Sequence, residues 1–343
     1  MIDIRLITRT HYQISEPAYL TLLIRKCTSP TSSNYRETVA QRFSKLSGGT
    51  NIAASGYAVD LARSLNLLNS NLVWTELGHL LNIAASNNVL QNINELSTAE
   101  KILFFRLFLE FDGAAFIFLA QKLETQAQLP LLCESWTDIA QQLFLETYEW
   151  YLELVTDPLL RTRIRQLQEK RRLVPFKGNS GRHQSLIHIN TMFRLGLIDS
   201  FKSKKSRLYK PKYLEGKELS PTSNLLSAVP NIKTLEEVVE SQSLYNVVGQ
   251  TLGIECNAGS INDMEFMNRV KYVYSQVSGT GVNLCSLRTL SEALQIQSLI
   301  EKTVPESHTT ILSRLRTLQN KTPSQIRFHV DRYGNPAYIK IEL

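Results

Sequence analysis

From His183 to Leu214 the chain reads HQSLIHINTMFRLGLIDSFKSKKSRLYKPKYL, and its hydrophobic period changes partway through. Leu186, Ile189, Met192 and Phe193 recur every three or four residues, which is the spacing of one helix face. Gly196 stands where a left-handed C-cap closes such a helix. Beyond it, Leu197-Ile198-Asp199-Ser200-Phe201 and Leu208–Leu214 alternate with period two, on either side of a basic turn at Lys202–Ser206. The predicted order is therefore helix, glycine cap, strand, cationic tip, strand. The theme returns near the C-terminus. Helices are predicted over Asn262–Gln276, Ser286–Leu294, Gln297–Lys302 and Glu306–Gln319. Two strands, Gln325–Asp331 and Ala337–Leu343, then flank the turn sequence Arg332-Tyr333-Gly334-Asn335-Pro336.

The rest of the chain is mostly helical in pattern. A short alternating run at Ile2–Leu6 predicts a strand, and Ser15-Glu16-Pro17 starts a helix to Cys27. Ser29–Asn34 reads as a linker. Helices follow over Tyr35–Leu46 and Tyr57–Leu67, then a turn at Asn69-Ser70-Asn71, a strand at Leu72–Trp74, and a helix capped by Thr75. Ser97 and Glu100 have capping-box spacing, opening an apolar helix to Leu123 with Gly113 as its one weak point. Pro130 interrupts, a helix spans Ser135–Val155, and Asp157-Pro158 starts another that ends before Pro175. Lys177–Gln184 reads as a polar loop, and Gly216–Lys233, with Pro221 and Pro230, as a linker.

Charge is concentrated. Between Arg161 and Lys212 stand fifteen Lys or Arg residues against two acids, Glu169 and Asp199, a balance of +13. The whole chain carries +7, so the remainder is acidic at −6. Such density is self-repelling and calls for a counter-charge, of which a phosphate backbone is the commonest. An acidic protein partner or domain is the alternative. An anionic membrane surface fits less well, because the apolar residues here follow a hairpin pattern and not one face of an interfacial helix.

Helices followed by a β-hairpin resemble a winged-helix module. Residues 159–215 carry that resemblance most fully and 262–343 repeat it. Residues 35–96 are a third stretch in which AVDLARSLNLL (58–68) echoes INTMFRLGLID (189–199). The fold class that follows is mainly α with small β-hairpins (α+β): two or three winged-helix-like modules around a helical centre at 97–158. An N-terminal strand, helix and linker occupy 1–34, and a linker or helical segment 216–261. The resemblance is at superfamily level and rests on element order. In such modules one helix enters the major groove while the wing lies along the flanking backbone. It implies that Arg182, His183, Gln184 and Asn190 project from the start or exposed face of the helix, Arg182 and Gln184 being the types that read guanine and adenine edges, with Arg194 at its end. Lys202, Lys204, Lys205, Arg207 and Lys210 would hold phosphates from the wing, and Arg161, Arg163, Arg165, Arg171, Arg172 and Lys177 would track the backbone. A competing reading pairs Arg161, Arg163 and Arg165 with Glu146, Glu149 and Glu153. His183 and His188 read as hydrogen-bonded structural residues.

The C-terminal stretch balances Arg314, Arg316, Arg327, Arg332 and Lys340 against Glu301, Glu306, Asp331 and Glu342. Its wing carries Phe328, Tyr333 and Tyr338, which suits protein docking or self-association better than DNA. The phenylalanines of 97–156 suit a core or a packing surface, so a protein partner or homo-oligomer is expected through the helical centre or the C-terminal module.

Motifs for catalysis are missing. There is no GxxxxGK[ST] and no GxSxG. Asp263, Glu265 and Lys271 are the residue types of a metal-dependent nuclease, but one helix would carry all three. No metal site, cofactor or catalytic residue is assigned, and the nuclease stays a third alternative. Cys27, Cys133, Cys256 and Cys285 form no CxxC pair and read as free thiols of a reducing cytosol. The most apolar run, Leu103–Leu109, is broken by Arg106. No segment reaches the length of a membrane span, and the N-terminus does not resemble a signal peptide, so a cytoplasmic protein is expected.

Overall fold

A computed structural model describes residues 4, 6, 16–48, 52–86, 95–126, 129–130, 133–202, 207–212, 220–241, 243–254, 261–278 and 284–342. It is mainly helical, with two small antiparallel sheets. Pro17 occupies the first turn of α1 (Pro17–Leu22), which runs on as one π-helical turn, Leu23–Cys27. Next come α2 (Arg36–Leu46), α3 (Ile52–Ser64) and α4 (Glu76–Ala84), the last capped by the Thr75 hydroxyl, which accepts from the Gly78 N–H. The strand expected at Leu72–Trp74 is reduced to isolated bridges, Val73 to Ser29 and Trp74 to Leu68. Of the three stretches with the helix-and-hairpin pattern, the first shows no hairpin among its described residues.

The predicted capping box forms at Ser97. Its hydroxyl accepts from the Glu100 N–H at 3.2 Å, and the Glu100 carboxylate accepts from the Ser97 N–H at 2.9 Å. It opens α5 (Thr98–Gln126), which is bent at Asp112, where φ is −153° and ψ is 25°. The bend is sharp. Phe108 and Phe116 stack with centroids 5.7 Å apart, whereas eight residues of straight helix would separate them by about 12 Å. Gly113 makes room beside the bend: a Cβ there would lie 2.4 Å from Leu235 Cδ2, so the leucine side chain would have to shift. Both arms, 98–111 and 113–126, are buried nearly all round, which is the signature of a central helix.

After α5 come β1 (Leu129–Pro130), α6 (Cys133–Leu154), α7 (Pro158–Leu173), α8 (Gly178–Leu195), β2 (Ile198–Lys202) and β3 (Arg207–Pro211). Asp157 caps α7, and Gly196 closes α8 at φ +79°. The sheet order is β1-β3-β2, so the third strand of the basic hairpin comes from the segment read as the helical centre. Helical backbone begins at Gly178, and the polar loop expected at Lys177–Gln184 is in fact the first turns of α8. The stretch has no proline to stop helix growth, so its glycines weaken the turn without breaking it.

The linker expected at Gly216–Lys233 is likewise corrected. It contains α9 (Pro221–Ala228), followed by α10 (Ile232–Glu240) and α11 (Leu244–Leu252). Ser220 caps α9 with Pro221 in its first turn, and the hydroxyls of Ser220 and Thr222 both donate to Glu124. A Ser-Pro pair is thus a helix start here, held by a carboxylate from α5. All three helices pack on α5.

The last unit is α12 (Asp263–Val277), β4 (Cys285–Ser286), α13 (Leu287–Ile300), α14 (His308–Lys321), β5 (Ile326–Val330) and β6 (Pro336–Ile341), with sheet order β4-β6-β5. The short helix expected at Gln297–Lys302 is the end of α13. The expected Ile2–Leu6 strand and Lys202–Ser206 turn fall largely outside the described residues. Among the described residues, no helix is long and apolar enough to cross a membrane.

Candidate nucleic-acid interface

The cationic stretch divides into several environments. On α7 the buried residues are Ile164 and Gln168, which set the inward face. Arg161 and Arg171 flank that face and turn into the protein. The Arg161 guanidinium donates to the carbonyls of Leu152, at 2.5 Å, and Val155, at 2.8 Å, closing the end of α6. Arg171 lies over the Phe176 ring at 3.6 Å and the Phe144 ring at 5.4 Å, and burial lowers its pKa. The backbone-tracking role expected of these two arginines does not fit their packing. An arginine stem covers apolar surface readily, so its charge is a poor guide to exposure.

Arg172 is exposed and pairs with Glu149 at 3.3 Å. Of the pairings weighed for this region, only Glu149 engages α7. Glu146 reaches Lys122 instead, at 3.4 Å. Arg163, Arg165, Lys170 and Lys177 are exposed, and none has an ion-pair partner among the described residues. With a helical repeat of 3.6 residues, Arg163 and Lys170 share one solvent-facing stripe with Gln166, while Arg165 and Arg172 form a separate stripe about 140° around the helix, next to the buried face.

The α8 residues behave differently. Asn190 does not project outward, because its side-chain oxygen accepts from the Tyr209 hydroxyl of β3 at 3.2 Å. Arg194 pairs with Glu16 of the N-terminal segment at 2.6 Å. Gln184 is half-buried, and its carbonyl accepts from His188 Nδ1 at 3.1 Å. Lys202 and Arg207 face each other across the hairpin register, and Lys210 is exposed opposite Asp199. The side chains of Arg182, His183, Lys202 and Arg207, and all of Lys204 and Lys205, lie outside the described residues.

Sequence reasoning singled out His188 only as a hydrogen-bonded residue, and it is more specific than that. Its Nε2 meets Asp112 Oδ2 at 2.5 Å, with both side chains fully buried. Both ring nitrogens therefore meet oxygen atoms, the Gln184 carbonyl at Nδ1 and the Asp112 carboxylate at Nε2. The pair ties α8 to the bend of α5, which fixes the basic hairpin against the centre of the molecule.

In the C-terminal unit the charges are matched in part, with Arg316, Arg327 and Arg332 exposed and without an ion-pair partner among the described residues. Arg314 meets Glu306 at 2.5 Å and lies over Phe266, and Asp263 accepts from Lys321 at 2.5 Å. Asp331 holds the hairpin turn by accepting from the N–H groups of Tyr333 and Asn335. Tyr333 is 72% exposed and Tyr338 46% exposed. Among the described residues, no group of three His, Cys, Asp or Glu side chains could hold a metal ion. Comparison of the chain with family models, curated proteins and solved structures finds no match.

Proposed function

We propose that this chain is a non-enzymatic nucleic-acid-binding protein, with double-stranded DNA as the favoured ligand, and that it serves as a subunit or regulator of a larger DNA-processing, defence or transcription complex. The observation that carries this reading is the set of exposed cations without carboxylate partners on α7 and its exit: Arg163, Arg165, Lys170 and Lys177. They precede α8 and a hairpin whose turn sequence is KSKKSR. The order α5-β1-α6-α7-α8-β2-β3, with β1 added beside β3, supports a winged-helix-like unit with one extra helix, α7. The order α12-β4-α13-α14-β5-β6 supports a second such unit without it. In this reading α7 and the wing meet phosphates, while Asn190 and Arg194 are engaged by Tyr209 and Glu16 of the same chain. If about six cations contact phosphate, affinity falls about a thousandfold between 50 and 200 mM salt. Gel-shift titration of the whole chain with duplex and single-stranded DNA across that range tests the proposal. Absence of binding at 50 mM salt for both ligands refutes it.

A protein-adaptor reading is favoured at one place only. The C-terminal hairpin exposes Val330, Tyr333 and Tyr338 beside a Lys340–Glu342 pair. In a nucleic-acid-binding chain that hairpin is the surface for a partner subunit.

A further inference from the structure

Strand β5 is the outer strand of the second sheet, whose order ends with it. Its ladder with β6 fixes which backbone groups are used. The Glu342 N–H donates to the Gln325 carbonyl at 2.9 Å, and the register pairs Arg327 with Lys340 and His329 with Tyr338. These alternate residues therefore turn their backbone groups toward β6, and Ile326 and Phe328 turn theirs to the open side. The Ile326 N–H is taken by the Thr322 carbonyl at 3.2 Å, whereas the Phe328 N–H and carbonyl have no backbone partner among the described residues. Side chains alternate with the same period. Ile326 is buried under the sheet, Phe328 is half-buried on the same side, and Arg327 and His329 stand exposed on the outer face.

An edge strand has ordinary guards, a charge or a bulge that keeps other chains from pairing. Both occur here: the register shifts between His329 and Val330, and Arg327 projects beside the edge. They restrict the guest without excluding every guest. The bulge leaves Ile326–His329 regular, which is enough for a short segment. The charges are of one sign and uncompensated. Arg327 and Arg332 are exposed without an ion-pair partner among the described residues, and Arg332 lies over the Tyr333 ring at 4.6 Å, just past the end of the strand. The neighbouring carboxylates are occupied: Glu342 pairs with Lys340 at 3.5 Å, and Asp331 accepts from the N–H groups of Tyr333 and Asn335. A second copy of the chain, added edge to edge, would bring the same cations and no free carboxylate to the seam, and like charges across strands destabilise pairing. A strand with carboxylates at alternate positions meets the opposite situation.

We infer that the β5 edge takes an extended acidic segment of a partner protein as a further strand, its main chain bonded to the free groups of Phe328 and the Ile326 carbonyl and its carboxylates set beside Arg327 and Arg332. The inference deepens the reading of this hairpin as the surface for a partner subunit, and rests on it. Main-chain hydrogen bonds supply the affinity of such strand addition, and alternate side chains supply the specificity. Carboxylates belong on the outer face, opposite Arg327, and apolar residues on the Phe328 side. Val330 and Tyr333, both exposed, offer further apolar surface beyond the bulge.

The test uses the full chain and fluorescein-labelled peptides of about nine residues, one alternating aspartate with valine and one alternating lysine with valine, read by fluorescence anisotropy at low salt. The acidic peptide is expected to bind about tenfold more tightly than the basic one. Arg327→Glu should weaken the acidic peptide about tenfold and favour the basic one, because an attractive cross-strand pair becomes a repulsive one. Circular dichroism checks that this exposed substitution leaves the chain folded. Methylating alternate peptide nitrogens reports strand addition itself. On one set the methyl groups block the seam and abolish binding; on the other they point away and change it by about twofold or less. Attraction by charge alone makes no such distinction. Equal effects of the two methylations, no preference of the wild type for the acidic peptide, or the same preference in Arg327→Glu overturns the inference. A gel shift with duplex DNA keeps the two readings apart. Arg327→Glu should leave the shift unchanged; a weakened shift assigns the edge to nucleic acid and overturns the inference. A wild-type chain that takes the acidic peptide but no DNA refutes the nucleic-acid reading and leaves this one standing.

Discussion

Arg106 is 2% exposed, yet it carries a full charge into the interface between α5 and α13. It reaches Glu110 at 2.5 Å and Glu292 at 3.1 Å, and Arg288 reaches the same two carboxylates at 3.1 Å each, so two cations and two anions close a ring. Removing one member of a buried pair costs about 3 to 5 kcal/mol, because the partner is left uncompensated. Arg288 still touches both carboxylates after Arg106→Met, which places that variant near the lower end, about 3 kcal/mol. Glu292→Met leaves a buried cation in surplus and should cost a similar ~3 kcal/mol. The double variant retains a balanced Arg288–Glu110 pair. It should lose about 3 kcal/mol and not the ~6 of independent sites, giving a coupling of about 3 kcal/mol. Urea unfolding of the four proteins at pH 7 measures this, with unchanged m-values as the check that the denatured state is the same. The losses should persist in 0.5 M salt, since buried pairs are screened little. Additive losses, or single losses below about 1 kcal/mol, would refute the claim that the ring acts as a unit.

Reversing Arg163, Arg165 and Lys170 to Glu should lower the slope of log affinity against log salt by about 3 in duplex binding, with stability little changed. An unchanged slope removes α7 from the interface. Burial lowers the pKa of both His79 and His308 below the ordinary imidazole value. The unfolded chain then takes up protons that the native chain refuses, so stability is whole above about pH 6.5 and falls as the pH drops below it. Urea midpoints at pH 7.5 and 5.5 measure this, and His79→Gln/His308→Gln should narrow the gap. Burial also pushes the Cys27 thiol up to about 11 and raises Cys285 further, so both should resist iodoacetamide in the native protein and react once unfolded. Alkylation followed by mass spectrometry decides it, and rapid native labelling of Cys27 would contradict its burial.

Elements with strong local signals were legible in the sequence. Ser97-Thr98-Ala99-Glu100, Thr75, Asp157-Pro158 and Gly196 all mark real helix ends. The helices and hairpin of the C-terminal unit lie within a few residues of their expected places, except that Gln297–Ile300 extends α13. The losses have physical causes. The third strands, Leu129–Pro130 and Cys285–Ser286, are too short for alternation to appear, and pairing with a distant strand defines them. In α9 a Ser-Pro start was read as a break because its partner, Glu124, is about a hundred residues away. The inward turn of Arg161 did have a signal. It stands three residues before Ile164, on the face that α7 buries. Arg106 had a weaker one, a lone charge inside the most apolar run of the chain.

The bend in α5 makes the two hairpin units parts of one structure. The first is tied to α5 through His188 and Asp112 and through β1, which pairs with β3 only a few residues beyond the helix. The second is tied through the Arg106 ring to α13, and the start of α13, capped by Ser286, is braced by Glu76 of α4, which accepts from the Ser286 N–H and the Thr289 hydroxyl. These ties are buried or half-buried polar contacts, whose strength depends on geometry more than on area. Modules strung on flexible linkers search for their sites independently. Modules fixed to a shared helix present their surfaces at one spacing and one angle. A ligand that engages α7 and the basic hairpin thus meets the exposed tyrosines of the second hairpin, or a partner seated on them, in a set orientation. Under the proposed function, that arrangement would let the chain position a partner protein on nucleic acid.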